Sequence, residues 1–528
     1  MKKILLITIL YISVSCSSFK FIGQPITFNA NDYNNKESLS EDIKEKWSLL
    51  DINSDMIPGM SVLKANKELI KNQKGKSVIV AIIDSGVDIE HPYLSPYIWN
   101  NTDEIPNNKI DDDNNGYIDD VNGWNFLGES NQENLEYVRL YRKISLEDPL
   151  SQVYKNEIDQ AINKNNETIN RVQNLSRILF KSDSLIASII GSNSYSLEEA
   201  KQISTKTIKS DEAVRFLEYA KSNNWTQQSF LEAIDYYQSS NEIHNNVDFD
   251  GRTIVGDDPD DFNDRDYGDS NVSDRNKHGT HVSGIVRSIS QSVIIMPIRC
   301  VPDGDEYDKD VALSIRYAVD NGAKIINFSF GKKYSPHSDW VIDAMKYASQ
   351  RDVLIINAAG NDSNDIDSTL NQMYPTDQID KKEFLNNFLT VGASSYNYDK
   401  KQIAYFSNYG SNNVDLFAPG HQIYSSVLDG EFEYLNGTSM AAPNVTGVAV
   451  VLRSFYPKLS ASSIKKIIME SGVDMSKSLS KPNSEEVSDR KNFSKSGKMV
   501  NLYNALLLAS DFKERDPSGS IKKFKLKF

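Results

Sequence analysis

Six consecutive apolar residues, Val78 to Ile83, end at Asp84-Ser85-Gly86. A run that short, with no polar alternation, reads as a strand covered on both faces, which means a parallel sheet clad by helices. Comparable runs occupy Val293–Ile298, Lys324–Phe328 and Val353–Asn357, and helical patterns fall between them at Val311–Asn321 and Asp339–Ser349. Strand and helix alternating at this spacing predict βαβ units and an α/β fold. In such sheets the functional groups collect at the C-terminal ends of the strands.

Three short motifs carry chemistry. Gly437-Thr438-Ser439-Met440-Ala441-Ala442-Pro443 surrounds one hydroxyl with small residues and runs into an apolar helix, Val445 to Phe455. A serine there has backbone N–H groups and the positive end of a helix dipole beside it, which can hold a developing oxyanion. Alone, a Gly-x-Ser turn is more often a helix cap. His278-Gly279-Thr280-His281-Val282-Ser283-Gly284 starts another helix and offers a general base near neutral pH. A zinc reading of His278 and His281 lacks the carboxylate of a metalloprotease pattern; His281 is expected to be structural. Asp84-Ser85-Gly86-Val87-Asp88 puts a carboxylate at a strand end, where it can orient an imidazole or simply form a turn.

Taken together, and in the order Asp, His, Ser, these motifs resemble the subtilisin-like serine peptidases (subtilases), whose triads follow that chain order. The resemblance covers residues 75–127 and 245–510. It implies a three-layer fold with a mainly parallel sheet, and a serine endopeptidase that passes through an acyl-enzyme. Asp84, His278 and Ser439 are the implied triad. Asn361, in Asn357-Ala358-Ala359-Gly360-Asn361, is the implied oxyanion donor. Ser329, Phe330 and Gly331 are expected to pair with the substrate backbone as an added strand. Ala358, Ala359 and Gly360 are expected to wall the pocket for the residue before the scissile bond. Thr390–Ala393, Phe406–Gly410 and Phe417–Gly420 are also family-like. No cofactor is implied for the chemistry.

The chain departs from the family between the Asp and His motifs, 194 residues apart where a few dozen are usual. His278 and Ser439 keep an ordinary separation of 161. The excess coincides with residues 128–244. Leu150 to Ile190 contains neither Gly nor Pro, and Leu150, Val153, Ile158, Ile162, Ile169, Val172, Leu175 and Leu179 recur at helical spacing. Ser196-Leu197-Glu198-Glu199 has the form of a capping box, and Thr226–Gln238 is amphipathic. This block reads as a helical insertion, tolerable because long loops are entropically cheap. Asn444 stands where many relatives carry a histidine, a position expected to support packing. Residues 17–74 are polar, with one short helical stretch near Leu39–Leu50, and show no inhibitory prodomain.

Asp111, Asp113 and Asn115 alternate oxygen ligands before Gly116, like the front half of an EF-hand loop. Position twelve is Asn122, not the usual Glu, so Tyr117, Asp119 and Asp120 complete the expected calcium set. The alternative is a solvated acidic turn. A second acidic cluster, Asp257, Asp258, Asp260 and Asp261, satisfies no spacing rule.

Met1-Lys2-Lys3 followed by apolar Ile4–Val14 reads as an export signal too short to span a bilayer. Ser13-Val14-Ser15-Cys16 is similar to a bacterial lipobox, predicting lipidation at Cys16 and attachment to the cell envelope; plain secretion is the other reading. Cys300 is then the remaining cysteine, too few for a disulfide framework, and is expected to be buried. Net charge of -15 argues against nucleic acid as a partner. Residues 511–528 form a basic tail. A monomer acting on protein or peptide substrates is expected. The alternatives are a binding protein on the same fold, and a maturation enzyme with one cell-surface target.

Overall fold

The computed structural model describes residues 19–28, 39–203, 207–223 and 225–512. Residues 1–16 with Cys16, and the tail beyond 512, lie outside them. Contacts divide the chain into two units: residues 1–126, 268–300 and 308–528 in one, residues 127–267 and 301–307 in the other.

The first unit is built on a sheet of nine strands among the described residues. In chain order its strands are β1 (Val78–Asp84), β2 (Trp124–Asn125), β3 (Val293–Arg299), β4 (Ile325–Phe328), β5 (Leu354–Ala358), β6 (Phe388–Ser394), β7 (Leu416–Pro419), β8 (Val473–Asp474) and β9 (Lys498–Met499). Their spatial order is β8-β9-β7-β6-β5-β4-β1-β3-β2. Every pairing is parallel except β8 with β9 at the edge. The strands read from apolar runs therefore occupy the middle, where both faces are covered.

Side-chain alternation splits β1 between two layers. Val78, Val80 and Ile82 join a core with the helices His278–Ile289 and Thr438–Phe455. Ile79 faces the opposite way, its Cδ1 reaching the turn at Gly322 that ends the helix Asp308–Asp320. That helix packs on Ser338–Gln350. Helix, sheet and helix make the three layers expected.

The segment before β1 differs from its polar reading. Trp47, Ile52, Ile57, Met60, Val62, Ala65 and Leu69 are buried in the same core as β1 and the Ser439 helix. Trp47 Nε1 donates to the His421 and Gln422 carbonyls, both 3.2 Å. Ile26 exchanges two hydrogen bonds with Asn504, 2.7 and 3.0 Å, on the helix Leu502–Asp511.

The second unit is helical. Its longest helix, Pro149–Ile190, has 42 residues. Asp148 caps it through Leu150 N, Pro149 starts it, and Gly191 ends it at a φ of 80°. Ser196 and Glu199 form the reciprocal bonds of a capping box. Helices Ile208–Ser222 and Gln227–Ser239 pack on the long helix, closing small cores around Ile186, Val214, Leu179 and Phe230. The unit extends past the 128–244 boundary drawn from the pattern. Arg252 pairs with Asp257 at 2.6 Å and lies over the Tyr267 and Tyr307 rings, 5.1 and 4.6 Å from their centroids. Such polar and aromatic contacts have no periodicity to read.

Candidate active site

Asp84 closes β1 at the C-terminal edge of the sheet and is buried. Its Oδ1 accepts from Ser85 N at 2.8 Å and lies 2.7 Å from His278 Nδ1. That contact fixes Nδ1–H as the donor and leaves Nε2 as the free face of the ring.

His278 begins its helix, held against the Asp84 turn by a backbone approach that excludes any side chain at position 279. A Cβ on Gly279 would stand 2.0 Å from the Gly86 carbonyl oxygen. The Gly279 N–H donates to Ser85 Oγ at 3.1 Å, and Ser85 Oγ donates to Asp274 Oδ1 at 2.9 Å. Asp274 Oδ2 accepts from Thr280 N and Oγ1, 2.9 and 2.7 Å. Asp274 was not singled out from the sequence, although it stands four residues before His278. It ties the Asp84 turn to the His278 helix.

Burial disfavours the His278 cation, but the Asp84 charge and hydrogen bond, helped by Asp274, outweigh it and raise the pKa above the ordinary histidine value. His281 behaves oppositely. It is fully buried, its Nε2 meets the Ile423 and Glu433 carbonyls at 3.1 Å, and burial lowers its pKa to about 4. Of the two histidines, His278 has its ring nitrogen on a carboxylate.

Ser439 is the second residue of its helix. Its Oγ donates to the Ser329 carbonyl at 3.0 Å, and Ser329 Oγ donates back to the Ser439 carbonyl at 2.9 Å. No hydrogen bond joins Ser439 to His278 among the described residues. Resting hydroxyls in such sites are commonly turned away until substrate arrives. Asn361 Oδ1 accepts from Thr438 N and Oγ1, 2.8 and 3.0 Å, which turns its Nδ2 outward as a donor. Thr438 Oγ1 also accepts from Gly360 N at 3.0 Å, so one threonine fixes the Asn361 loop to the Ser439 helix. Gly360 has a φ of 98°, and a Cβ there would meet Asn408 Nδ2 at 2.4 Å. Asn444 is buried and donates to the Pro419 and Met440 carbonyls, a packing role.

Ser329, Phe330 and Gly331 continue beyond β4, and Lys332 forms an antiparallel bridge with Tyr374. Ala358 and Ala359 line a cavity of about 420 Å³. The substrate-edge and pocket candidates thus lie on adjacent strand ends, next to Ser439.

Of the six residues expected around calcium, Asp111 and Asp113 converge, and buried Glu104 joins them: their carboxylate oxygens lie within 4.8 Å of one another. Three anionic oxygens that close repel one another, and they suit a hard cation. Asp119 instead accepts from Asn108 N and Lys109 N, 3.1 and 2.9 Å. Asp120 is buried and takes hydrogen bonds from Asn101, Asn115 and Tyr317; burial still raises its pKa to about 6. The Asn115 Oδ1 accepts from Tyr117 N at 2.8 Å, and the Tyr117 ring packs edge-on against Trp124 and Tyr317.

The subtilase family description matches residues 75–493. The chain is 34% identical over 218 residues to a thermophilic serine proteinase of Bacillus sp. (strain AK1), 39% of this chain and 48% of that one. It is 33% identical over 211 residues to thermitase of Thermoactinomyces vulgaris, 38% of this chain and 68% of that one. It is 30% identical over 197 residues to subtilisin-like protease 2 of Plasmodium falciparum, of which it spans 14%. A cold-adapted subtilisin-like serine proteinase of solved structure is 26% identical with a TM-score of 0.36, covering 44% of this chain and 78% of that one. The match thus spans about half or less of the first of these curated relatives. With the family description matched across most of its length, the chain belongs to the subtilase family.

Proposed function

We propose that the chain is a serine endopeptidase whose triad is Asp84, His278 and Ser439. The observation that carries this reading is the 2.7 Å contact of His278 Nδ1 with buried Asp84, which leaves Nε2 to serve a hydroxyl on the neighbouring helix start. Substrate docks along Ser329–Gly331 by backbone pairing. Ser439 turns from the Ser329 carbonyl toward His278 Nε2, gives up its proton and attacks the scissile carbonyl. Asn361 Nδ2 and the Ser439 N–H hold the oxyanion. His278 then protonates the leaving amine, Asp84 stabilises the imidazolium, and water resolves the acyl-enzyme by the same path. Protein groups supply all of this chemistry.

The reading extends to export and to lipid attachment at Cys16, supported by the signal-like N-terminus. It also gives Glu104, Asp111 and Asp113 a calcium ion, which would stiffen the loop between β1 and β2. Globomycin-sensitive incorporation of labelled palmitate into the full chain, lost in Cys16→Ala, tests the lipid attachment. One experiment tests the triad and the calcium ion: fluorophosphonate labelling of the chain lacking residues 1–16, with and without chelator. Labelling is expected, and Ser439→Ala should abolish it while the far-UV spectrum stays unchanged; a labelled Ser439→Ala protein refutes the triad. Chelator should lower the melting temperature, and Asp113→Asn should remove that sensitivity. A melting curve indifferent to chelator refutes the calcium reading alone.

A further inference from the structure

The substrate-edge candidate, Ser329–Gly331, is fastened on either side. Before it, Ser329 Oγ accepts from Asn327 Nδ2 at 2.9 Å and donates to the Ser439 carbonyl at 2.9 Å. After it, Lys332 exchanges two backbone hydrogen bonds with Tyr374, 2.9 and 2.8 Å. Between these fastenings the backbone groups of Phe330 and Gly331 form no hydrogen bond among the described residues. Unpaired N–H and C=O groups are what a strand edge offers to an incoming peptide. The line of that edge depends on what holds Lys332.

Lys332 Nζ lies 3.0 Å from Asp308 Oδ1, and both residues are buried. Asp308 is the first residue of the helix Asp308–Asp320. Its carboxylate gathers two more groups from the stretch after Gly331. Ser335 Oγ donates to Oδ1 at 2.8 Å, and the His337 N–H donates to Oδ2 at 2.9 Å. Lys332, Ser335 and His337 are spread along the connection from β4 to the helix Ser338–Gln350, so one carboxylate holds that connection at three points. Burying two charges is costly, and an apolar pair of similar volume often stabilises a fold as well. What the charged pair adds is geometry, because charge-assisted hydrogen bonds fix both distance and direction.

We propose that Asp308 is a positioning residue for substrate binding: through Lys332 it holds the Phe330–Gly331 edge where an extended peptide can pair with it. The inference rests on the peptidase reading above. The wall expected for the residue before the scissile bond lies beside the same edge, since Met373 Cε would stand 3.7 Å from a Cβ on Gly331 and 3.5 Å from one on Gly360. Pairing on Phe330 and Gly331 therefore engages substrate residues upstream of the bond to be cut. Releasing the edge weakens binding of extended substrates and leaves the chemistry at Ser439 intact.

The test compares three reagents on the full chain: a peptide ester with four residues before the scissile bond, an acyl amino-acid ester with one, and a simple fluorophosphonate with none. In Asp308→Asn, kcat/KM for the four-residue ester is expected to fall about tenfold or more, mostly through KM, because the lost pairing is made equally in the ground and transition states. The one-residue ester and the rate of fluorophosphonate labelling should stay within about twofold of the wild type. Should that variant fail to fold, Ser335→Ala serves instead. It removes one of the three bonds to Asp308 and should give the same pattern with a smaller loss, roughly two- to fivefold. Equal losses on all three reagents, or no loss on the four-residue ester in the variant that folds, overturns the proposal. A wild type that the fluorophosphonate does not label refutes the peptidase reading, and this inference falls with it.

Discussion

Two histidines three positions apart differ because of what each ring nitrogen meets. His278 Nδ1 meets a carboxylate and its pKa rises; His281 Nε2 meets carbonyls in a buried site and its pKa falls. A general base works deprotonated, so the proposed activity must climb with pH through the His278 pKa. The acidic limb of kcat/KM is therefore expected above the ordinary histidine value of about 6.5. Asp84→Asn removes the charge that raises this pKa and the acceptor that sets the tautomer. It should move the limb to lower pH and cut kcat by roughly 10⁴-fold, the loss known for such a change in a serine-protease triad. A pH–rate profile of both proteins checks this, and a limb that stays put in the variant speaks against the contact as its cause. Asp274 acts chiefly through position, since its oxygens are taken up by Ser85, Asn276 and Thr280, and its charge adds the smallest of the contributions that raise the His278 pKa. It was legible only as a carboxylate near a histidine. Its partner Ser85 lies 189 residues away, and only the fold brings them together.

Elements meet through charge as well as apolar packing. Lys465, on the helix Ala461–Ser471, lies 3.1 Å from Glu383, 3.4 Å from Asp415 and 4.0 Å from Asp377. Lys495 bridges Glu383 and Asp415. Two lysines thus face three carboxylates, and Asp377 is the surplus one. Burial raises its pKa to about 7, with Asp415 and Glu383 adding to the effect and Lys465 opposing it. Folded Asp377 then keeps a proton between about pH 4 and 7 that the unfolded chain has released. Its contribution to stability is accordingly lost as pH rises across that window and stays lost above it. Asp377→Asn removes the penalty and should stabilise the protein by roughly 1–3 kcal/mol at pH 8, with little effect near pH 4. Thermal melts across pH 4–8 decide it; a variant no more stable at pH 8 contradicts the argument. None of this network was visible in the chain, because Asp377 and Glu383 share one short hairpin while Asp415, Lys465 and Lys495 belong to three other segments. The central strands were legible for the opposite reason. Burial on both faces writes a continuous apolar run, which survives as a local signal whatever the strand pairs with.

The whole molecule includes more of the chain than the family match does. Residues before β1 show no period because they enter the core by short turns, yet they are not peripheral. Met60 O accepts from Leu502 N at 2.9 Å, and Ser61 Oγ accepts from Asn501 Nδ2 at 2.8 Å, which fastens the segment to the last helix. The Phe21 ring lies 5.4 Å from Phe455, the end of the Ser439 helix. An inhibitory segment that is later removed would leave a finished surface behind it. Removing this one would expose the faces that Trp47, Ile52, Ile57, Met60, Val62, Ala65 and Leu69 cover. Each large side chain among them contributes about 1.5–3 kcal/mol of burial, and their sum rivals the roughly 5–15 kcal/mol by which a domain is stable. A chain of residues 75–528 keeps all of the family-matched stretch, 75–493. It is nevertheless expected to be insoluble or molten, with no cooperative melt and no fluorophosphonate labelling. The same deletion supplied with residues 17–74 as a separate peptide should recover labelling in proportion to peptide, because the missing contacts are non-covalent. A soluble, labelled 75–528 chain would show instead that the segment is an appendage, and that the core closes without it.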